Sequence, residues 1–209
     1  MSTRPAAEAD AKSRILDAAA EAFMTYGFFG TTIDAIADEV GATKGLVYYH
    51  FRSKFDIFIA AYEEGMRRAR AYVEPHSRLP GTGYERLMAM SNAHVVNLMT
   101  DLGYHHLVHQ GVREQSSAAL KPRQREALTR LNELRRDYEH LFQVVLTEGA
   151  SDGSLRPVEP RLATRTLLSN LNAVDIWYHR DEGQSDAEIA ALAESVVDLT
   201  VNGLAARFH

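Results

Sequence analysis

The residues best suited to chemistry lie in the run TIDAIADEVGATKGLVYYHFRSK, from Thr32 to Lys54. Within six residues, Thr43, Lys44, Gly45 and Tyr48 offer a hydroxyl, an ammonium, a bare stretch of backbone and a phenol. Thr32 precedes them, and Tyr49, His50 and Lys54 follow; each can donate to an anionic oxygen. Such a set suits a polyanion with hydrogen-bonding edges, which is the chemistry of a nucleic-acid duplex. A second group is made of histidines. Asp101, His105 and His109 recur every four residues, with His106 beside them, so one helical face could gather metal ligands.

For the first set to act together, two short helices must be joined by a tight turn. Thr32 is an N-cap for a helix whose Ile33, Ile36, Ala37 and Val40 form an i, i+3, i+4, i+7 stripe. Gly41 supplies the positive φ that reverses the chain, and Ala37 is small where the helices must cross. The second helix starts near Thr43 and runs to about His50. Val47 and Phe51 face the core with Ile36, leaving Thr43, Lys44, Gly45 and Tyr48 outward. In a helix-turn-helix, those N-terminal residues of the second helix enter a major groove. Lys44 can reach a guanine or a phosphate, and Thr43 a phosphate or a thymine methyl.

Flanking helices complete the frame. Ile15, Ala19, Ala22 and Phe23 mark a first helix closed by Gly27. Ser53 with Asp56 opens a fourth, whose buried stripe is Phe55, Phe58, Ile59 and Tyr62. The pattern stays helical to the end, with breaks at Gly103, near Pro122, at Ser151-Asp152-Gly153 and around Asp181 to Ser185. One long helix is expected over 123–149, and two final ones over 160–178 and 186–207. Ser185 and Glu188 form a capping box for the last. No run alternates as a strand does, so the fold class is all-α.

Composition sets bounds. The chain has 209 residues, 45% of them hydrophobic, and no cysteine. A packed core is expected, and disulfides, thiolate metal sites and a cysteine nucleophile are excluded. The net charge of −5 gives no support to a general attraction for nucleic acid, so a local basic patch must supply it. The first fourteen residues lack a signal-peptide core, and no stretch is apolar enough to span a bilayer. A cytoplasmic protein with no membrane partner is the expectation.

The run from Thr32 to Lys54 strongly resembles the DNA-binding domain of the TetR family of bacterial repressors. Thr32, Ile36-Ala37, Gly41, Gly45, Tyr48-Tyr49-His50-Phe51 and Ser53-Lys54 carry the resemblance. It implies an N-terminal three-helix helix-turn-helix domain over 1–53 and a larger helical effector-binding and dimerisation domain over 54–209. It further implies base contacts from Thr43 to Gly45 and phosphate contacts from Thr32, Tyr48, Tyr49, His50 and Lys54. Phe55 departs from the family, which more often has an acid there, and is expected to pack inward. The partners implied are a double-stranded, palindromic operator, a small-molecule effector that releases it, and a second copy paired through the last two helices. No enzyme activity, resident cofactor or metal is implied.

The segment Asp175-Ile-Trp-Tyr-His-Arg, with Gly183, resembles a subgroup that senses acyl-CoA thioesters. Trp177 would then pack on the effector and Arg180 would pair with phosphate, with Arg113 and Arg136 as further candidates. From the residues alone, an interface anchor is the favoured reading of Trp177 and a solvated helix end that of Arg180. The alternative to a DNA-binding regulator is a helical metal-dependent hydrolase built on His105, His106 and His109.

Overall fold

The computed structural model describes residues 4–114 and 121–203, with side chains for 8–108 and 121–203. Every regular element among them is helical. They are α1 (Arg4–Gly30), α2 (Ile33–Glu39), α3 (Lys44–His50) and α4 (Lys54–Val73), then a 3-10 turn (Glu74–Arg78). After it come α5 (Gly83–Thr100), α6 (Leu102–Glu114), α7 (Pro122–Ser151), α8 (Pro160–Asn172), α9 (Val174–Trp177) and α10 (Asp186–Asn202). Two compact units are present. The first combines the segment to Met66 with Gly103–Leu134, and the second combines Arg67–Leu102 with the rest from Arg135.

In the first unit, Ile15, Ala19 and Phe23 are fully buried on one face of α1, as their spacing predicts. Gly27, at φ 69°, kinks the helix instead of ending it outright. The buried Thr31 hydroxyl lies 2.8 Å from the Gly27 carbonyl and 2.9 Å from that of Ala22, so the end of α1 is satisfied from within. Thr32 then caps α2, accepting from the Ala35 N–H at 3.1 Å. At the other end of α2, Gly41 (φ 63°) donates to Asp38 and Ala42 donates to Ala37. That paired pattern is a Schellman turn, and it sets the angle at which α3 leaves.

In the second unit, the start of α5 is fastened to the end of α7. Thr82 and Glu85 form a capping box, and a second cap arrives from sixty-nine and seventy residues away. The Gly83 N–H donates to Asp152 Oδ2 at 2.7 Å and the Tyr84 N–H to Ser154 Oγ at 3.0 Å. Hydrogen bonds from Ser154, and then from the Gly83 N–H, hold the Asp152 carboxyl below its ordinary range. Glycines permit this approach, since a Cβ on Gly83 would lie 2.2 Å from Gly149 Cα. Deeper in, the buried His94 ring bonds the Tyr138 hydroxyl at 2.8 Å and Asn172 Oδ1 at 2.9 Å. Burial pushes the Tyr138 phenol well above its ordinary value, so it stays neutral and available as a donor.

Two expectations change. The helix expected over 160–178 is divided at Ala173, whose N–H is shared between the Ser169 and Asn170 carbonyls. Asp101 lies outside the helix that carries His105 and His106; it is the C-cap of α5 and pairs with Arg68 at 3.4 Å. Met66, Val73 and the Leu167, Leu168, Leu171, Val174 stripe are all buried. On α10, Ile189, Ala193 and Val197 are buried, but Leu192 and Val196 are half-buried and Leu199 is exposed. α10 thus carries a second apolar face that is only partly covered among the described residues.

Gly83→Ala should be costly, because backbone rather than a flexible side chain occupies the space its Cβ needs. A loss of about 2–3 kcal/mol is expected, read as a clear drop in thermal midpoint by calorimetry. An unchanged midpoint would show that the α5–α7 crossing is looser than described.

Candidate nucleic-acid interface

The seven residues of α3 are too few to hold a helix in isolation, so their orientation must come from capping and packing. Thr43 caps the helix, its hydroxyl accepting from the Leu46 N–H at 3.3 Å. Val47 is fully buried, as is Ile36 on α2, and Phe51 is nearly so. This anchors one side of α3 and turns the other outward. Thr43, Lys44, Gly45, Tyr48 and Tyr49 are all exposed, Tyr49 at 69%. Thr32 is exposed at the start of α2, and His50 and Lys54 are half-buried. The eight residues expected from the sequence therefore lie on or around one short helix and its flanking turns.

Two cations have partners that helical spacing does not reveal. Lys44 Nζ lies 2.8 Å from Asp34 Oδ2, with the two side chains 51% and 61% exposed. The hydrogen bond to Asp34 holds the Lys44 ammonium above its ordinary pKa, so it is charged at any physiological pH. Lys54 reaches back to the α1–α2 junction. Its Nζ donates to the Thr31 carbonyl at 2.6 Å and the Phe29 carbonyl at 3.3 Å, and sits 4.7 Å from the centre of the Phe28 ring. Arg14 performs a similar task, donating to the Val40 carbonyl at 2.8 Å. Phe55 is half-buried and stacks on Phe58.

The remaining candidates are scattered. Trp177 ends α9, 52% exposed and edge-on to the buried Tyr178. Arg180 lies 3.6 Å from Asp186 and donates to the Gln184 carbonyl at 3.4 Å. Arg136 is exposed on α7, and the Arg113 side chain lies outside the described residues. His105 is buried and His106 half-buried on α6, while the His109 side chain lies outside the described residues. Among the described residues, no three His, Cys, Asp or Glu side chains gather to hold a metal. None of the described helices is long and apolar enough to cross a membrane.

Residues 15–61 match the family model for bacterial regulatory proteins of the tetR family, and residues 80–204 that for the tetracyclin repressor-like C-terminal domain. The chain belongs to the TetR family of transcription regulators. It is 27% identical over 193 residues to the fatty acid metabolism regulator protein of Bacillus subtilis, covering 91% of this chain and 94% of that protein. The solved structure of the TetR regulator PfmR of Thermus thermophilus matches with a TM-score of 0.76 at 26% identity, covering 92% of this chain and all of that one. That of FadR of Bacillus subtilis, in complex with stearoyl-CoA, matches with a TM-score of 0.69 at 26% identity, covering 92% and 99%. Members of this family are regulators and not enzymes, which sets aside the hydrolase alternative.

Lys54→Ala removes two charge-assisted hydrogen bonds and a ring contact from the α1–α2 junction. Because the side chain is half-buried, a stability loss of about 1–2 kcal/mol is expected by urea denaturation. A midpoint equal to that of the parent chain would rule out the structural role.

Proposed function

We propose that the chain is a repressor that binds a palindromic DNA operator as a homodimer and is released by a small-molecule effector, an acyl-CoA thioester. One observation carries the DNA reading: α3 is anchored by the buried Val47 while its Thr43–Lys44–Gly45 edge and Tyr48 are exposed. Lys44 and Thr43 would meet base edges, and Gly45 would let the backbone approach closely. Thr32, Tyr48, Tyr49, His50 and Lys54 would hold phosphates, which fixes the register without reading sequence. The Thr32 and Thr43 hydroxyls accept within the caps, so each keeps its proton to donate. We assign the helix-turn-helix domain to residues 1–53, with Lys54 adding its contact from just beyond, and effector binding and dimerisation to the domain over 54–209.

One helix in one groove gives little affinity, and two linked half-sites multiply it. Leu192, Val196 and Leu199 on α10 supply an apolar face only partly covered among the described residues, and Leu162 on α8, Ile176 and Trp177 are exposed too. We assign these surfaces to the partner subunit, and Trp177 to that interface in preference to the effector. Arg136, Arg180 and Arg113 are left as the cations offered to an effector's phosphates. An acyl-CoA is favoured because the relative solved with stearoyl-CoA matches along nearly the whole chain. The action of such a protein on DNA places it in the cytoplasm.

The test is a mobility shift with the duplex upstream of the protein's own coding region. A dimer by sedimentation, a shift at least a hundred-fold tighter than on random duplex, and release by stearoyl-CoA but not by free coenzyme A are expected. Equal affinity for random duplex at moderate salt would refute the operator reading. Retention of DNA at saturating acyl-CoA would refute the effector alone.

A further inference from the structure

We infer that Asp34 and Lys44 act as one reading unit, recognising a single G·C base pair with guanine on the lysine side and cytosine on the aspartate side. The inference rests on the DNA reading above and adds a residue, Asp34, from the first helix of the motif.

The geometry is that of a matched pair. Lys44 Nζ and Asp34 Oδ2 stand 2.8 Å apart, both on exposed side chains. In the major groove of a G·C pair, the guanine O6 acceptor lies beside the cytosine N4 donor. These two atoms are joined by the base pair's own hydrogen bond, about 2.9 Å long. Donor beside acceptor therefore faces acceptor beside donor at nearly equal spacing. An ammonium has three protons, and one serves Asp34, so two remain for O6 and N7 of guanine. The carboxylate keeps lone pairs for cytosine N4.

The other base pairs fit worse. An inverted C·G pair sets the carboxylate against a carbonyl oxygen and the ammonium against an amino group. T·A keeps the order of acceptor and donor but puts a methyl where guanine offers N7. A phosphate fares poorly as well, because Asp34 offsets the charge of Lys44 and repels the incoming anion. Off-site binding is thereby penalised while the matched site is not. Both side chains are exposed, so the pair contributes little to folding, and its substitution can be read on DNA directly.

Selection from a random duplex pool by the full chain, in parallel with Asp34→Ala and Lys44→Ala, tests this. The parent should enrich a two-fold symmetric site with a fixed G·C pair in each half. Asp34→Ala should keep the rest of the site, lose about ten-fold discrimination at that pair, and bind unrelated duplex a few-fold more tightly. Inverting that pair in the selected site should weaken the parent about ten-fold more than it weakens Asp34→Ala, which keeps only the Lys44 contact to guanine. A parent that enriches no site overturns the DNA reading beneath. A parent that enriches a site while Asp34→Ala keeps the same preference at every position overturns the reading unit alone.

Discussion

Burial of Val47 is the constraint on which the interface depends. A helix of seven residues has no stability of its own, and α3 has one fully enclosed side chain to fix its rotation. With Val47 inward, the helical period places Gly45 and Tyr49 on the opposite arc and Lys44 and Tyr48 on its flank, where they are exposed. The Schellman turn at Gly41 fixes the second variable, the angle between α2 and α3. Thr43 fixes the third by starting the helix where its edge is still clear of the core. A rotation of α3 by one residue toward Tyr48 would bury the Lys44–Tyr48 edge and expose Val47.

Charge supports this frame in two ways. Arg14 and Lys54 donate to carbonyls at Val40, Thr31 and Phe29, where helix ends leave acceptors unpaired. They brace α2 from either end. Lys44 is different: its partner is another exposed side chain, and its other protons stay open to a ligand. An acidic chain can thus present a cation to a polyanion without an overall positive field. Specific contact, and not general attraction, must then supply most of the affinity.

Much of the frame is legible in the residues themselves. The caps at Thr32, Thr43, Ser53, Thr82 and Ser185 follow from local hydrogen bonding, and the stripes from period 3.6. What escapes is contact across the fold. Asp34 and Lys44 are ten residues apart on different helices, and spacing rules speak only for three or four. Lys54 and Thr31 are twenty-three apart, His94 and Asn172 seventy-eight. The expectation for Asp101 failed because a helix end fell at Thr100, and boundaries are set by caps that side-chain period does not see. The Gly83–Gly149 crossing left no sign at all, since two ordinary glycines carry it.

Tyrosine reactivity reports whether the outward edge of α3 meets DNA. In the free chain, iodination mapped by mass spectrometry should label Tyr48 and Tyr49 along with the exposed Tyr26 and Tyr72, and spare Tyr62 and Tyr138. Adding the duplex from the upstream region should protect Tyr48 and Tyr49 while Tyr72 goes on reacting. An inert Tyr48 in the free chain, or a Tyr48 equally labelled with and without DNA, would contradict the account.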